Sequence, residues 1–408
     1  MTSVVGEGPG AMAPDPSTRG TAPTPQVPVI LESRPVGVPA GSAAAELLAT
    51  DLAPLRALAD RATAGDVERA LSAPRRGLSD FAVLLSPAAA HRIEDMAQLA
   101  HEATVRRFGR TVHLFAPLYL SNECVSTCTY CGFSAGNEVP RRTLAPDEVL
   151  AEARELVDRG FRHLLLVAGE HARIVGKDYI VDCVAALAPL VPSLSLEVQV
   201  WDTATYRRLV DAGCDGLVVY QETYDRATYG EVHLRGKKRN YDWRLSAPDR
   251  GAEAGMRRLG IGALLGLHPD WRTDALALAT HARALSRRWW RCEVTLSLPR
   301  LRPAAGGFEP TGPLGDRDFV QLLCALRLLL PDAGLVLSTR ETAQFRDALL
   351  PLGVTHLSAG SQTDPGGYAD ASGAQQQFEV ADTRSPAEVA TVLRRAGYDP
   401  VWKDWQRA

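Results

Sequence analysis

An α/β fold, a (β/α)8 barrel of the TIM type, is what this sequence predicts, on three observations. From Thr111 onward short apolar runs alternate with helical patterns. The apolar runs are continuous rather than alternating, as expected of parallel strands buried on both faces. Polar residues recur at the ends of those runs, and in such a barrel the chemistry sits at the C-terminal ends of the strands.

The elements follow in order. Thr111 to Leu120 reads as the first strand. Pro146 opens a helix with Val149, Leu150, Ala153, Leu156 and Val157 on one face, stopped by Gly160. The strand His163 to Val167 follows, then a helix through Tyr179, Ile180, Val184 and Leu187 and the strand Leu194 to Val200. A helix through Tyr206 and Leu209 ends at Gly213 and leads to the strand Leu217 to Tyr220. A helix near Pro248 to Leu259 precedes the strand Ile261 to Leu267. One near Asp274 to Trp289 precedes Val294 to Leu298, and one near Asp316 to Leu330 precedes Leu335 to Ser338. The last unit ends near Leu357 to Ser361. About eight strand–helix units argue for a closed barrel, with a doubly wound open sheet as the rival.

Three domains are expected. Residues 1–44, rich in Pro, Gly and Ala, have too few large apolar side chains to offset their ordering entropy and read as a disordered tail. Residues 45–110 read as a small helical region, and 111–408 as the barrel with a C-terminal tail. No run reaches the ~18 apolar residues of a membrane span. The start lacks the pattern of a secretory signal. With a net charge of −3, neither nucleic acid nor an anionic membrane is called for. The basic run Arg235-Gly-Lys-Lys-Arg239 is the local exception, readable as a solvated loop or as a functional one. Seven cysteines, an odd number, argue against a disulfide framework, so a cytoplasmic protein is expected.

Three of the cysteines are clustered, in Tyr119-Leu-Ser-Asn-Glu-Cys-Val-Ser-Thr-Cys-Thr-Tyr-Cys-Gly-Phe133. Spacings of four and three place Cys124, Cys128 and Cys131 in one short loop after the first strand, and soft thiolates suit iron–sulfur clusters or zinc. Structural zinc is closed and tetrahedral. No fourth cysteine is near, and His113 lies inside the strand. Three thiolates on a four-iron cluster leave one iron open. The spacing, with an aromatic before the last cysteine, resembles the radical S-adenosylmethionine (SAM) superfamily. That resemblance implies a [4Fe–4S] cluster whose open iron chelates SAM and cleaves it to an adenosyl radical. It also implies Tyr130 near the adenine and Gly169-Glu170 at the methionyl amine, Ala168 standing where a first glycine is usual. Ile261 to Gly266 would lie beside the adenine.

From about residue 60 to its end the chain resembles 2-iminoacetate synthase, the tyrosine lyase of thiamine biosynthesis (the ThiH family). The matching segments include Pro117-Leu-Tyr-Leu-Ser-Asn122, Tyr220-Gln-Glu-Thr-Tyr224, Pro299-Arg-Leu-Arg-Pro303, Leu337-Ser-Thr-Arg-Glu341 and Pro400-Val-Trp-Lys-Asp-Trp405. Val200-Trp-Asp202 departs from the family's wording. The resemblance implies removal of a hydrogen from the amino nitrogen of L-tyrosine and cleavage of Cα–Cβ to 2-iminoacetate and p-cresol. It implies Arg340 as clamp of the substrate carboxylate, with Tyr119 and Ser358 nearby. The alternative for Arg340 is a salt bridge with Glu341 or another neighbour. Glu197, Gln221, Glu222 and Arg244 are expected to contact SAM or orient loops. The implied partners are thiazole synthase (ThiG) and a flavodoxin- or ferredoxin-type electron donor. Three rivals stand beside this reading: a tryptophan lyase of peptide-antibiotic pathways, the hydrogenase-maturation tyrosine lyase, and a non-catalytic zinc-binding module. The second needs C-terminal cysteines for another cluster, and none follows Cys324.

Overall fold

The computed structural model describes residues 2, 37–369 and 373–403. The chain divides into units 1–35 and 36–408, and the architecture below belongs to the second. Of the expected disordered tail, 1–44, residues 1 and 3–36 lie outside the described residues, and its last two residues open the first helix, Ala43–Ala49.

Eight parallel strands close into a barrel: β1 Thr111–Ser121, β2 His163–Ala168, β3 Ser193–Glu197, β4 Gly216–Glu222, β5 Arg258–Ala263, β6 Glu293–Ser297, β7 Gly334–Leu337 and β8 His356–Ser358. Neighbours in sequence are neighbours in space, and β1 pairs with both β2 and β8, so the sheet has no break. The open-sheet rival is thereby removed. The strands interlock through buried leucines such as Leu114, Leu164, Leu194, Leu259 and Leu296, whose outward faces are covered by the helices.

Several boundaries differ from the sequence reading, each for a local reason. The third strand stops at Glu197 rather than Val200, because Asp202 accepts from the Thr205 amide and caps the next helix, Thr203–Ala212. The helix expected to reach Leu259 ends at Ala254, since Gly255 adopts φ +107. That frees Arg258 to begin β5, where its guanidinium binds Glu293 at 2.9 Å. One strand was not expected: β9, Asp399–Val401, adds in parallel to the start of β1. Three residues carry too little periodicity to be read as a strand.

Before the barrel, five α-helices run between Ala43 and Phe108. The longest, Ile93–Phe108, packs on the barrel helix Asp316–Leu329, and Ala43–Ala49 packs on Trp271–Arg288. Asp249 receives the amides of Ala43 and Ala44 and the indole N–H of Trp289, fixing the first helix to the barrel wall.

Candidate active site

The cysteine loop leaves β1 after a register shift between Tyr119 and Ser121. It is tied down on every side by its backbone. The amides of Val125, Thr127 and Thr129 donate to the carbonyls of Glu170, Arg235 and Val232, and that of Gly132 donates to Gln377. Arg141 reaches across to donate to the carbonyls of Asn122, Phe133, Ser134 and Asn137. Two glycines are required by close approach. A Cβ on Gly169 would lie 2.3 Å from the Glu123 oxygen, and one on Gly132 would lie 2.6 Å from that of Gln377. The glycine of Gly169-Glu170 thus has a steric reason in this chain.

Cys124, Cys128 and Cys131 are free thiols. Burial pushes Cys124 up to about 11 and raises the other two as well; Cys124 and Cys128 both sense Cys131 electrostatically. Lys238 opposes burial at Cys128 and Cys131 and favours their thiolates. Among the described residues no three His, Cys, Asp or Glu converge on one ion. Three soft thiolates in one short loop suit a multi-iron cluster, whose irons occupy separate corners, better than one tetrahedral zinc. The donor set therefore fits the iron–sulfur cluster.

Beside the loop lies a buried charge network. Arg244 donates to Glu170 at 3.2 Å and to the Tyr220 carbonyl at 2.7 Å. Glu222 lies 3.8 Å from Arg244 and accepts from Lys238 at 2.6 Å. Glu222 is, among the described residues, the one non-glycine with positive φ, at 71°. A non-glycine held there costs on the order of 1 kcal/mol or more, and such strain gathers at functional sites. Burial opposes the Glu222 carboxylate, but Lys238 and Arg244 hold its pKa below the ordinary value. Gln221 points elsewhere, its amide 3.5 Å from the Tyr241 carbonyl.

Tyr130 is buried against Cys128, Val232, Leu264 and Leu267. Its hydroxyl lies 2.8 Å from His233 Nε2, while His233 Nδ1 lies 2.9 Å from the Tyr229 carbonyl. A carbonyl can only accept, so Nδ1 carries the proton and Nε2 accepts from Tyr130. Burial and Lys238 lower the His233 pKa to about 3, which keeps the ring neutral.

On the other side of the cysteine loop lies a cavity at the barrel mouth. Phe115, Leu165 and Val336 give it apolar walls, and Tyr119, Glu197, Tyr220, Arg340 and Ser358 line it with polar groups. Arg340 stacks on Phe378, its guanidinium carbon 3.4 Å from the ring centroid. Its expected rival partner, Glu341, is held instead by Arg300 through two guanidinium nitrogens. Among the described residues the Arg340 guanidinium makes no hydrogen bond or ion pair. Ser358 Oγ accepts from the Thr339 amide at 3.2 Å. Tyr119 donates to Gln377 Oε1 at 2.7 Å.

The structure thus sorts the expected residues into two groups. Tyr130, Gly169, Glu170, Glu222 and Arg244 surround the cysteines, whereas Tyr119, Arg340 and Ser358 line the cavity. Glu197, expected with the first group, lines the cavity with the second. Sequence reasoning missed Arg141, His233, Lys238, Gln377 and Phe378. The basic run was the only signal for Lys238. The tail residues Gln377 and Phe378 lie some 250 residues from the loop they cover and carried no signal.

Residues 118–279 match the Radical SAM superfamily, and 297–399 match the Biotin and Thiamin Synthesis associated domain. The chain is 47% identical over 343 residues to the 2-iminoacetate synthase of Escherichia coli (strain K12), covering 84% of this chain and 91% of that one. It is 46% identical, with the same coverage, to the 2-iminoacetate synthase of Salmonella typhimurium. Among solved structures it is similar to HydG, a maturase of the [FeFe]-hydrogenase. There the TM-score is 0.80 at 34% identity, covering 86% of this chain and 79% of that one.

Proposed function

The chain belongs to the 2-iminoacetate synthase family of radical SAM enzymes, and from that premise we propose that its cavity binds L-tyrosine through Arg340 while Cys124, Cys128 and Cys131 hold the [4Fe–4S] cluster. The protein is a carbon–carbon lyase that cleaves tyrosine between Cα and Cβ to 2-iminoacetate and p-cresol, with SAM as cofactor. The observation that carries the assignment of the site is a guanidinium, stacked on Phe378 but without a hydrogen bond or ion pair among the described residues, lining a largely apolar cavity beside a three-thiol loop.

When bound, the cluster and SAM supply a hydrogen-abstracting radical. The protein's own work is holding and shielding. The Arg340 fork matches a carboxylate bidentately, and stacking on Phe378 preorganises it. Tyr119 and Ser358 flank that position. The apolar walls receive the aromatic ring and keep water from a radical reaction. On the cofactor side Glu170, Glu222 and Arg244 offer charges of both signs to the zwitterionic methionyl end of SAM, Gly169 lets the loop approach closely, and Tyr130 packs beside the adenine. The product feeds thiazole synthase (ThiG), and a flavodoxin- or ferredoxin-type protein supplies electrons.

Anaerobic incubation of reconstituted protein with SAM, a reductant and each aromatic amino acid tests the reading. The expected result is p-cresol from tyrosine, identified by mass spectrometry. Product from tryptophan alone would instead make it a tryptophan lyase.

A further inference from the structure

Among the described residues, two ionisable side chains line the cavity without a hydrogen bond or ion pair. One is Arg340. The other is Glu197, at the end of β3. Among the described residues its carboxyl accepts no hydrogen bond and joins no ion pair. Burial, and then the Glu222 charge, raise its pKa to about 7 against the opposing Arg340, Lys238 and Arg244. The hydroxyls of Tyr119 and Tyr220 also sense its charge. Charged groups kept in a low-dielectric cavity without internal partners are costly unless something else pairs them. One cation and one anion in the same cavity form the complement of a zwitterion.

We propose that Glu197 binds the amino group of the substrate, opposite Arg340 at the carboxylate, so that the cavity recognises an α-amino acid by both charged ends. This rests on the reading of the cavity as the tyrosine site, and it moves Glu197 from the cofactor side to the substrate side. The same carboxylate receives a proton from the substrate ammonium. The N–H bond breaks heterolytically, an O–H bond forms on Glu197, and the amine is left neutral with its lone pair. No oxidant or reductant takes part in that transfer.

The test is binding selectivity, read by calorimetry on the cluster-loaded protein without turnover. Tyrosine is compared with tyramine, which lacks the carboxylate, and with 3-(4-hydroxyphenyl)propanoate, which lacks the amine. Wild type is expected to prefer tyrosine to each by at least about tenfold, the scale of one hydrogen bond to a charged group. Glu197→Gln should erase the preference over the propanoate and keep that over tyramine. Glu197→Asp, which keeps the charge on a shorter arm, should reduce it only in part. Arg340→Gln should do the converse of Glu197→Gln. In wild type the preference over the propanoate should also decline as pH falls through about 7, and Glu197→Gln should lack that dependence. Cluster absorbance checks that each variant is assembled; should Glu197→Gln lose its cluster, the Asp variant and the pH dependence in wild type decide. An unchanged propanoate ratio in the Glu197 variants overturns the role of Glu197, while the Arg340→Gln result still speaks for the tyrosine site. A wild type that favours tyrosine over neither analogue overturns both.

Discussion

At the scale of single residues, the loop cysteines and the guanidinium of Arg340 answer to different measurements. Cys128→Ala should abolish cleavage of SAM and lose the brown colour of the cluster, because all three thiolates are needed to leave a single open iron. Substituting Cys183 or Cys324, which lie buried outside the loop, should leave cleavage intact apart from a packing cost. Arg340→Ala should keep the cluster and still bind SAM but lose tyrosine cleavage. A hydrogen bond to a charged group contributes on the order of 1.5–3 kcal/mol, or roughly ten- to a hundredfold in affinity. Arg340→Lys should rescue only part, since a point charge does not copy a fork. Cluster content, SAM binding and p-cresol measured on one preparation separate these outcomes. Normal tyrosine cleavage by the Ala variant would place the clamp elsewhere. Lys238 belongs to the same scale. Removing it as Lys238→Met leaves the buried Glu222 with Arg244 alone at 3.8 Å. Breaking one partner of a buried pair costs about 3–5 kcal/mol, so the denaturation midpoint should fall clearly.

Between residue and whole molecule stands the C-terminal segment that roofs the cavity. Gln377 accepts from the Gly132 amide and from Tyr119, and Phe378 carries Arg340. The segment is anchored further on, where Arg346 binds both Asp382 and the Ser358 carbonyl in a fully buried contact. Arg384 holds Asp382 from the other side at 2.8 Å. Gly132→Ala should lift the roof, because its Cβ would meet two carbonyl oxygens at 2.6 and 2.7 Å. The expected signature is faster hydrogen exchange at the Gly132 and Gln377 amides and weaker tyrosine binding, with SAM binding less affected. Arg346→Met should loosen the same segment from its far end and lower stability measurably, since it leaves the buried Asp382 with Arg384 alone and the Ser358 carbonyl without this donor. Unchanged exchange in the Gly132→Ala protein would show that the roof does not depend on this contact.

For the molecule as a whole, the eight barrel strands close on themselves, so the barrel depends on its interlocked strands and on the helices around them. The helices from Ala43 onward pack on that wall, beginning with the Ala43–Ala49 helix, which Ser42 caps at Ala45. Truncation through residue 36 should therefore leave the melting temperature and the p-cresol yield unchanged. Truncation through residue 50 should lower the melting temperature, because it removes the buried Ala43, Ala44 and Leu47 and leaves Asp249 without two of its donors. A thermal melt of the two truncations side by side checks both expectations.

Much of this architecture was open to reading in the linear chain, because the forces that set it are periodic or local. Continuous apolar runs betray strands buried on both faces, a glycine with positive φ stops a helix, and three cysteines within eight residues must share one loop. The spacing, through its resemblance to the radical SAM superfamily, told of the cluster. What the chain could not tell is which side chains meet after closure. Glu197 at the end of β3 and Arg340 after β7 face one cavity only because strands far apart in sequence are brought round the same barrel. The roof by Gln377 and Phe378, the partnering of Glu341 by Arg300 and the burial of Lys238 against Glu222 are likewise long-range contacts. Local propensity carries no record of them. They arise from the packing of the closed barrel, where a charge without water must find its partner across space rather than along the chain.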